Sequence, residues 1–249
     1  MKKQRFFIDT EGNDDEAYRE AINYACQLSI EDTGISDIIL LVATKANTGW
    51  LERLYGQETL NQLFTGVKFN NCPALLSIET KKSYYDNNVS SDIVIAMGLS
   101  SEIVFEIERF TRVKAIIAVP WVKDFTLKWI NTWRPIELRG NSTISFSEPS
   151  CIVKKAMIDL TNSVNKSDML THSSDENLAK TYILALKKYE PSLDPDIVES
   201  YLIRELDWNP HKSKIIQRLI SILNSGKYFQ GGQRTGLHYY YRKWEKECK

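Results

Sequence analysis

The chain has 249 residues, with 32 Lys/Arg against 32 Asp/Glu, no formal net charge, 43% hydrophobic and 26% charged residues. That composition is ordinary for a globular protein, and the length is enough for a buried core without metal or disulfide staples. No run approaches the ~18 consecutive apolar residues of a membrane span. The basic start leads into Phe6-Phe7-Ile8, too short for a secretory signal core, so the expected compartment is the cytoplasm, with no membrane partner.

The first half alternates between strand and helix signals. Arg5–Asp9 reads as a short apolar strand. Asp14 to about Ser29 reads as a helix with Ala17, Ala21, Tyr24, Ala25 and Leu28 on one face, and Asn13 or Asp14 is its cap. Asp37–Ala43 is a continuous apolar strand, Trp50 to about Phe64 a helix stopped by Gly66, and Ala74–Ile78 a third strand. Asp92–Met97 is a fourth strand, followed directly by a helix over Ser101–Phe110. Lys114–Val119 is a fifth, ended by Pro120, then a short helix over Asp124–Trp133 and an edge strand at Ile136–Leu138. Alternating strands that are apolar on both faces predict a Rossmann-like α/β domain over residues 1–140, a mainly parallel sheet of about five strands with helices on both faces.

Residues 140–150 are polar and turn-rich, which marks a boundary. A helix over Cys151–Leu170 makes 141–175 a linker with a connecting helix. Residues 176–249 then form a basic, mostly helical module. Its helices are Glu176–Tyr189, Asp196–Leu206 with Pro195 at its start, and Lys212–Leu223 with Ile215, Ile216, Leu219, Ile220 and Leu223 on one face. The glycine- and aromatic-rich stretch 226–244 is either the hairpin wing of a winged helix or a turn into a last helix.

Cys26, Cys72, Cys151 and Cys248 lack C-x-x-C spacing and have no nearby His, so neither a zinc site nor a disulfide framework is expected, and Cys26 reads as a small core residue. His172, His211 and His238 all lie in the last third, which excludes a His-based triad in the α/β half. From Trp208 to the end there are nine Lys/Arg against Glu245 and Glu247, a net of seven positive charges, and the rest of the chain carries the opposite balance. Such asymmetry points the basic end at an anionic partner.

Ligands of parallel sheets bind at the carboxyl ends of the strands. Two loops there are candidates. Thr44, Lys45, Asn47, Thr48 and Gly49 lie between a strand and a helix N-terminus, where small residues and Lys45 suit a phosphate or carboxylate, although the P-loop spacing is absent. Gly98, Ser100 and Ser101 form a second strand-to-helix turn, in which Gly98 permits close backbone approach and Ser100 is placed to cap. Trp121, just past a strand end, either stacks on a base or sugar or covers the rim of the sheet. Trp129 and Trp133, four apart, read as helix-packing residues. The plainer reading of these loops is capped βα turns. The acidic group Asp9, Glu11, Asp14, Asp15 and Glu16 suits a first helical turn and, alternatively, a divalent metal or acid–base work. Glu79-Thr80-Lys81 has the E-x-K spacing of some metal-dependent nucleases, at odds with the βαβ alternation. In the basic module Lys212, Lys214, Arg218, Lys227, Arg234, His238, Tyr240, Arg242 and Lys243 are candidate nucleic-acid contacts, cations for phosphates with aromatics interleaved for bases. The alternative is that the aromatics close a core while the cations stay solvated.

Residues 21–28 (AINYACQL) followed by 37–49 (DIILLVATKANTG) resemble the C-terminal α/β domain of pyruvate kinases, in which an Ala-rich helix precedes a strand ending in a Thr/Gly phosphate-binding loop. The resemblance spans ~30 residues and implies an anionic effector near Thr44, Asn47, Thr48 and Gly49. In layout alone the chain also looks like the CRISPR-associated Rossmann-fold sensors, a fold-level analogy.

Three functions fit these signals. The first is a ligand-sensing regulator whose α/β domain binds a small anionic or nucleotide ligand and whose basic module contacts nucleic acid. The second is an enzyme acting on a nucleotide or phosphorylated metabolite, with Asp9, Glu11 or Glu79 as acid or base and the last helices as lid or dimerisation element. The third is a non-catalytic subunit of a larger assembly. Cofactor and oligomeric state are open at this level.

Overall fold

The computed structural model describes residues 3–86, 91–140, 144–165, 170–190 and 192–249. The chain divides into two units, Met1–Ile144 and Ser145–Lys249.

In the first unit six strands pair only in parallel, in the order β3-β2-β4-β5-β1-β6: Gln4–Phe7 (β1), Asp37–Val42 (β2), Leu75–Thr80 (β3), Asp92–Met97 (β4), Val113–Val119 (β5) and Ile136–Glu137 (β6). The sixth is the short edge strand expected at 136–138. Parallel neighbours need crossover connections, here supplied by Asp15–Glu31 (α1), Gly49–Leu63 (α2), Lys81–Asp86 (α3), Ser101–Glu108 (α4) and Lys123–Trp133 (α5). The six-residue α3, missing from the periodicity, is too short to carry a helical repeat. Gly56, at φ 79°, breaks the helical path within α2.

Right-handed crossovers fix the layers. The steps β1→β2→β3 run toward one edge and put α1 and α2 on one face, and the steps β3→β4→β5→β6 run back and put the later helices on the other. Register follows the pleat: Leu40 lies opposite Ile95, and Ile95 opposite Ile117. These three share a cluster with Ala17, Tyr18, Ala21 and Ala25 of α1 and Trp50, Leu51 and Leu60 of α2. The alternate residues Ile39, Leu41, Val94, Ala96 and Ile116 are equally buried and point to the opposite face. Burying each such aliphatic side chain contributes ~1.5–3 kcal/mol. On that side Ser101 Oγ donates to the Phe125 carbonyl at 2.8 Å and accepts the Trp129 amide at 3.1 Å. The Trp129 indole N–H donates to Glu108 at 3.0 Å, which also takes Arg5 at 2.9 and 3.0 Å. The Arg5 guanidinium covers the ring of Trp133 at 3.8 Å.

The amino edge of the sheet buries a carboxyl. Asp92 is fully buried at the start of β4, accepts the Tyr84 hydroxyl at 2.6 Å and faces Arg112 at 3.6 Å. Burial pushes this carboxyl above the ordinary carboxylate range, against the pull of Tyr84 and Arg112.

The second unit is helical, with Cys151–Ser163 (α6), Ser173–Tyr189 (α7), Pro195–Leu206 (α8), Pro210–Asn224 (α9) and Leu237–Glu247 (α10). Side-chain caps explain several starts: Ser150 accepts from Val153, Asp194 from Asp196 and Ile197, and Asn209 from His211. Proline takes the first position of both α8 and α9, where its missing N–H costs nothing. α6, read from sequence as a connecting helix, contributes Val153, Ala156, Met157 and Leu160 to the same core as Ile183, Leu202, Ile220 and Trp244.

One open alternative is decided and one expectation is corrected here. Among the described residues of this unit there is no strand, so 226–244 does not form a hairpin wing. The physical reason is that Leu237, Tyr240 and Trp244 recur at helical spacing and turn one face of α10 into the core. Asp159 of α6 fastens that helix by accepting the Trp244 indole N–H at 3.0 Å, Lys243 at 2.8 Å and the Tyr182 hydroxyl at 2.9 Å. Second, Cys151 and Cys248 form a disulfide, their Cα atoms 5.9 Å apart. The docking of α10 on α6 brings the two helix ends together across a separation of 97 residues, which no local spacing encodes.

Two outcomes follow for stability. Replacing Cys248 with Ser is expected to destabilise the second unit by ~2–4 kcal/mol, read as a lower denaturation midpoint that a reducing agent reproduces in the parent chain. For Asp92, the folded state holds its proton to a higher pH than the unfolded chain, whose carboxyl titrates near ~3.9. The contribution is therefore full below that value and falls as pH rises through the raised one. Asp92→Asn should leave the melting temperature at neutral pH unchanged or higher and flatten its pH dependence. Asp92→Ala, which strands the Tyr84 hydroxyl, should cost ~1–3 kcal/mol.

Candidate functional site

A parallel sheet sends every βα loop to its carboxyl edge, and a crevice opens where neighbouring strands send their helices to opposite faces. By that rule β2 parts from both its neighbours, β3 and β4, and β5 parts from β1. One cavity lies at the carboxyl ends of β2 and β3, and another among the loops after β1, β2 and β5.

The first cavity, about 710 Å³, is lined by Ala43, Thr44 and Lys45 after β2, Thr80, Lys81 and Lys82 at the end of β3, and Glu106 of α4. Lys81 pairs with Glu106 at 2.7 Å, and the Lys45 ammonium lies 5.2 Å from the centre of the Phe64 ring. Three ammonium groups against one carboxylate leave this crevice positive, and concave walls of one charge sign focus that field on an incoming anion. Of the residues singled out from sequence, Thr44 and Lys45 are placed here. Thr80 and Lys81, read from sequence only within the E-x-K spacing, and Lys82, not singled out there, line the same cavity, because α3 turns directly out of β3.

The second cavity, about 390 Å³, is lined by Gly12 and Asn13 after β1, Ala46, Asn47, Gly49, Trp50 and Arg53 from the β2–α2 segment, and Trp121 after β5. Its wall is stitched together. The Gly12 amide donates to the Trp121 carbonyl at 2.7 Å, Trp50 stacks 4.1 Å from buried Tyr18, and Arg53 pairs with Asp15. Asp14 caps α1 through the Ala17 amide at 3.0 Å. The Arg139 guanidinium, 2.8 Å away, holds the Asp14 carboxyl down at about 2, so it stays ionised at any ordinary pH. The residues Asn47, Gly49 and Trp121 are thus brought together. Asp9, Glu11 and Glu79 line neither cavity.

The remaining loop residues sit differently. Thr48 is buried, and its hydroxyl donates to the Lys45 carbonyl at 2.8 Å, shaping the loop from within. Ser100 occupies the cap position of α4 without a side-chain cap bond, and the Ser101 hydroxyl is taken up by α5 as above. Gly98 does permit a close approach, by Trp121: a Cβ there would sit 2.5 Å from the indole. A third cavity, about 490 Å³, is lined in part by Cys26 and Cys72. Burial and contact between the thiols push Cys26 up to about 12, far from the thiolate a nucleophile requires at neutral pH.

In the helical unit the basic candidates separate by environment. Lys243 is held by Asp159, Lys212 donates to the Thr171 hydroxyl at 2.9 Å, and Tyr240 turns inward 5.2 Å from Tyr182. Lys214 and Arg218 are exposed on α9, and Lys227, Arg234, His238 and Arg242 are exposed on the α9–α10 turn and on α10. No helix is long and apolar enough to cross a membrane, and no three His, Cys, Asp or Glu side chains gather as a metal-binding group, among the described residues.

Residues 149–245 match a family model described as a domain of unknown function (DUF1889), so the helical unit is similar to that family over almost its whole length. No curated protein and no solved structure matches the chain.

Gly98 gives a direct test of how the second cavity is built. Its φ of 62° disfavours any side chain by ~1–2 kcal/mol, and a methyl group would drive Trp121 off the β4–α4 turn. Gly98→Ala should lower stability by at least that amount and shift the tryptophan emission of the first unit.

Proposed function

We propose that the chain is a ligand-sensing regulator: its α/β unit binds a small anionic ligand, of which a nucleotide is the best fit, and its helical unit contacts nucleic acid. The observation that carries this reading is the positive cavity of Lys45, Lys81 and Lys82 at the carboxyl ends of β2 and β3, the edge at which parallel sheets bind their ligands. Lysine suits the task because its ammonium is a compact charge on a flexible stem that can follow a phosphate without requiring a planar partner. The neighbouring cavity supports the nucleotide form of the ligand. Trp121 offers an aromatic face, and the Asn13 and Asn47 amides offer both donors and acceptors, the chemistry that recognises a base or sugar. The 43–50 segment lines both cavities.

The contact with nucleic acid draws on a second feature. From Trp208 to Trp244 the sequence has no acidic residue, and six of its cations are exposed: Lys214, Arg218, Lys227, Arg234, Arg242 and, beside Asp159, Lys243. A surface of that kind neutralises phosphates and releases their counterions.

The test of the ligand half is equilibrium dialysis of the full chain against labelled ATP, AMP and inorganic phosphate. Saturable binding is expected, weakened roughly tenfold by either Lys45→Ala or Lys82→Ala, the loss of one charge-assisted contact. Absence of saturable binding by all three, or binding indifferent to both substitutions, would sink the assignment of this cavity.

A further inference from the structure

Tyr228 and Tyr239 present their rings to solvent, 77% and 72% exposed. Both belong to the turn between α9 and α10 and the start of α10, and that turn is fastened in place. Phe229 and Leu237, each next to or near one of the tyrosines, pack on the core of the unit. Between them the Gly232 amide donates to Asn177 at 3.1 Å and the Gln233 amide to the Thr181 hydroxyl at 2.8 Å, both on α7. Only glycine fits so close: a Cβ on Gly231 would lie 2.5 Å from Asn177 Oδ1, and one on Gly232 2.9 Å from the Lys180 Cβ. The backbone is anchored while the two rings are left outside.

Cations accompany the rings. Arg234 donates to the Phe229 carbonyl at 3.4 Å, and its guanidinium lies 5.8 Å from the centre of the Tyr228 ring. The His238 ring lies 3.9 Å from that of Tyr239, and Arg242 is exposed one helical turn beyond His238. Lys227 precedes Tyr228 and is exposed as well.

We propose that this turn is a stacking platform for single-stranded nucleic acid, with Tyr228 and Tyr239 each taking a base and Lys227, Arg234 and Arg242 neutralising the phosphates between and beside them. The proposal rests on the nucleic-acid half of the function proposed above and narrows it. Unpaired bases offer open faces to aromatic rings and every base has one, so stacking tolerates sequence. A duplex hides those faces. The α8–α9 pair is a poor reader of a duplex groove, because exposed Asp194, Asp196, Glu205 and Asp207 flank α8 and would meet phosphate with like charge.

The experiment is fluorescence anisotropy of the full chain with a labelled single strand of roughly 12 nucleotides, within the span of known single-strand sites, and with a duplex of the same length, at about 50 and about 200 mM salt. The single strand is expected to bind more tightly than the duplex. Tyr228→Ala and Tyr239→Ala should each weaken it roughly 5- to 150-fold, while Tyr228→Phe and Tyr239→Phe retain binding because the ring and not the hydroxyl is used. Arg234→Ala should reduce the steepness of the salt dependence by about one charge. Both tyrosines are exposed, so these variants fold, and circular dichroism verifies it. Tighter binding of the duplex, or single-strand binding unaffected by both alanine variants, overturns the platform and leaves a nucleic-acid-binding unit. Failure of both probes to bind at the lower salt overturns the platform and the nucleic-acid half of the function together.

Discussion

All six strands of the first unit run the same way, and almost everything else about that unit follows from this. Parallel neighbours cannot be joined by tight turns, so each connection must cross a face of the sheet, and each βα loop must emerge on one edge. The chain reverses its direction of travel across the sheet, after β3, and its first strand sits between β5 and β6. Those two departures from a simple succession create the places where adjacent helices part. The cavities are a consequence of topology, and the sequence needed only to choose the side chains around them. It put lysines at one and tryptophans with asparagine amides at the other.

The opposite edge of the sheet encloses its charge. There Asp92 is enclosed by Tyr84 and Arg112, and the Arg112 guanidinium also lies 4.5 and 4.6 Å from the Tyr84 and Phe110 rings. Its charge is closed off by aromatic surface instead of being offered to solvent. The contrast matters because both edges contain cations near helix or strand ends. At the carboxyl edge Lys45 and Lys82 line an open cavity, whereas Arg112 is consumed by the packing around it.

The strand and helix pattern of the first unit was legible because its apolar runs are long and glycine or proline punctuates them. Asp92–Met97 has the same limits in sequence and structure, since hydrophobicity starts and stops there abruptly. The basic cavity was half legible: Thr44 and Lys45 follow from the strand-end rule, but Lys81 and Lys82 depend on a six-residue helix, below the length at which periodicity is visible. Gly98 was recognised as a point of close approach, but what approaches is an indole from a neighbouring strand end, a tertiary fact. In the second unit the helices were readable from their apolar faces and caps. The fate of its cations was not, because whether a lysine is solvated or held depends on an acid far along the chain, as with Lys243 and Asp159, 84 residues apart. The Cys151–Cys248 bond was illegible for the same reason.

The two anion-facing surfaces of the proposed function differ in kind, and the difference bears on what each can distinguish. Lysines grouped around one open crevice would favour a compact anion by its charge. An exposed turn of tyrosines and arginine has no enclosing wall. It can engage a polymer along its length while being indifferent to where that polymer begins or ends. A regulator needs the first kind of site to receive a signal and the second to act on a long target. It also needs an element whose arrangement the signal biases, since a ligand shifts an equilibrium only by its differential affinity for two states. Within the first unit the 43–50 segment meets that requirement best. It forms a wall of both cavities, its interior is set by the Thr48 hydroxyl on the Lys45 carbonyl, and it leads into a helix already broken at Gly56. A phosphate drawing Lys45 toward it and a base drawing Asn47 toward Trp121 would pull on the same eight residues from opposite sides. The ligand that does both would therefore fix that segment more firmly than either half alone.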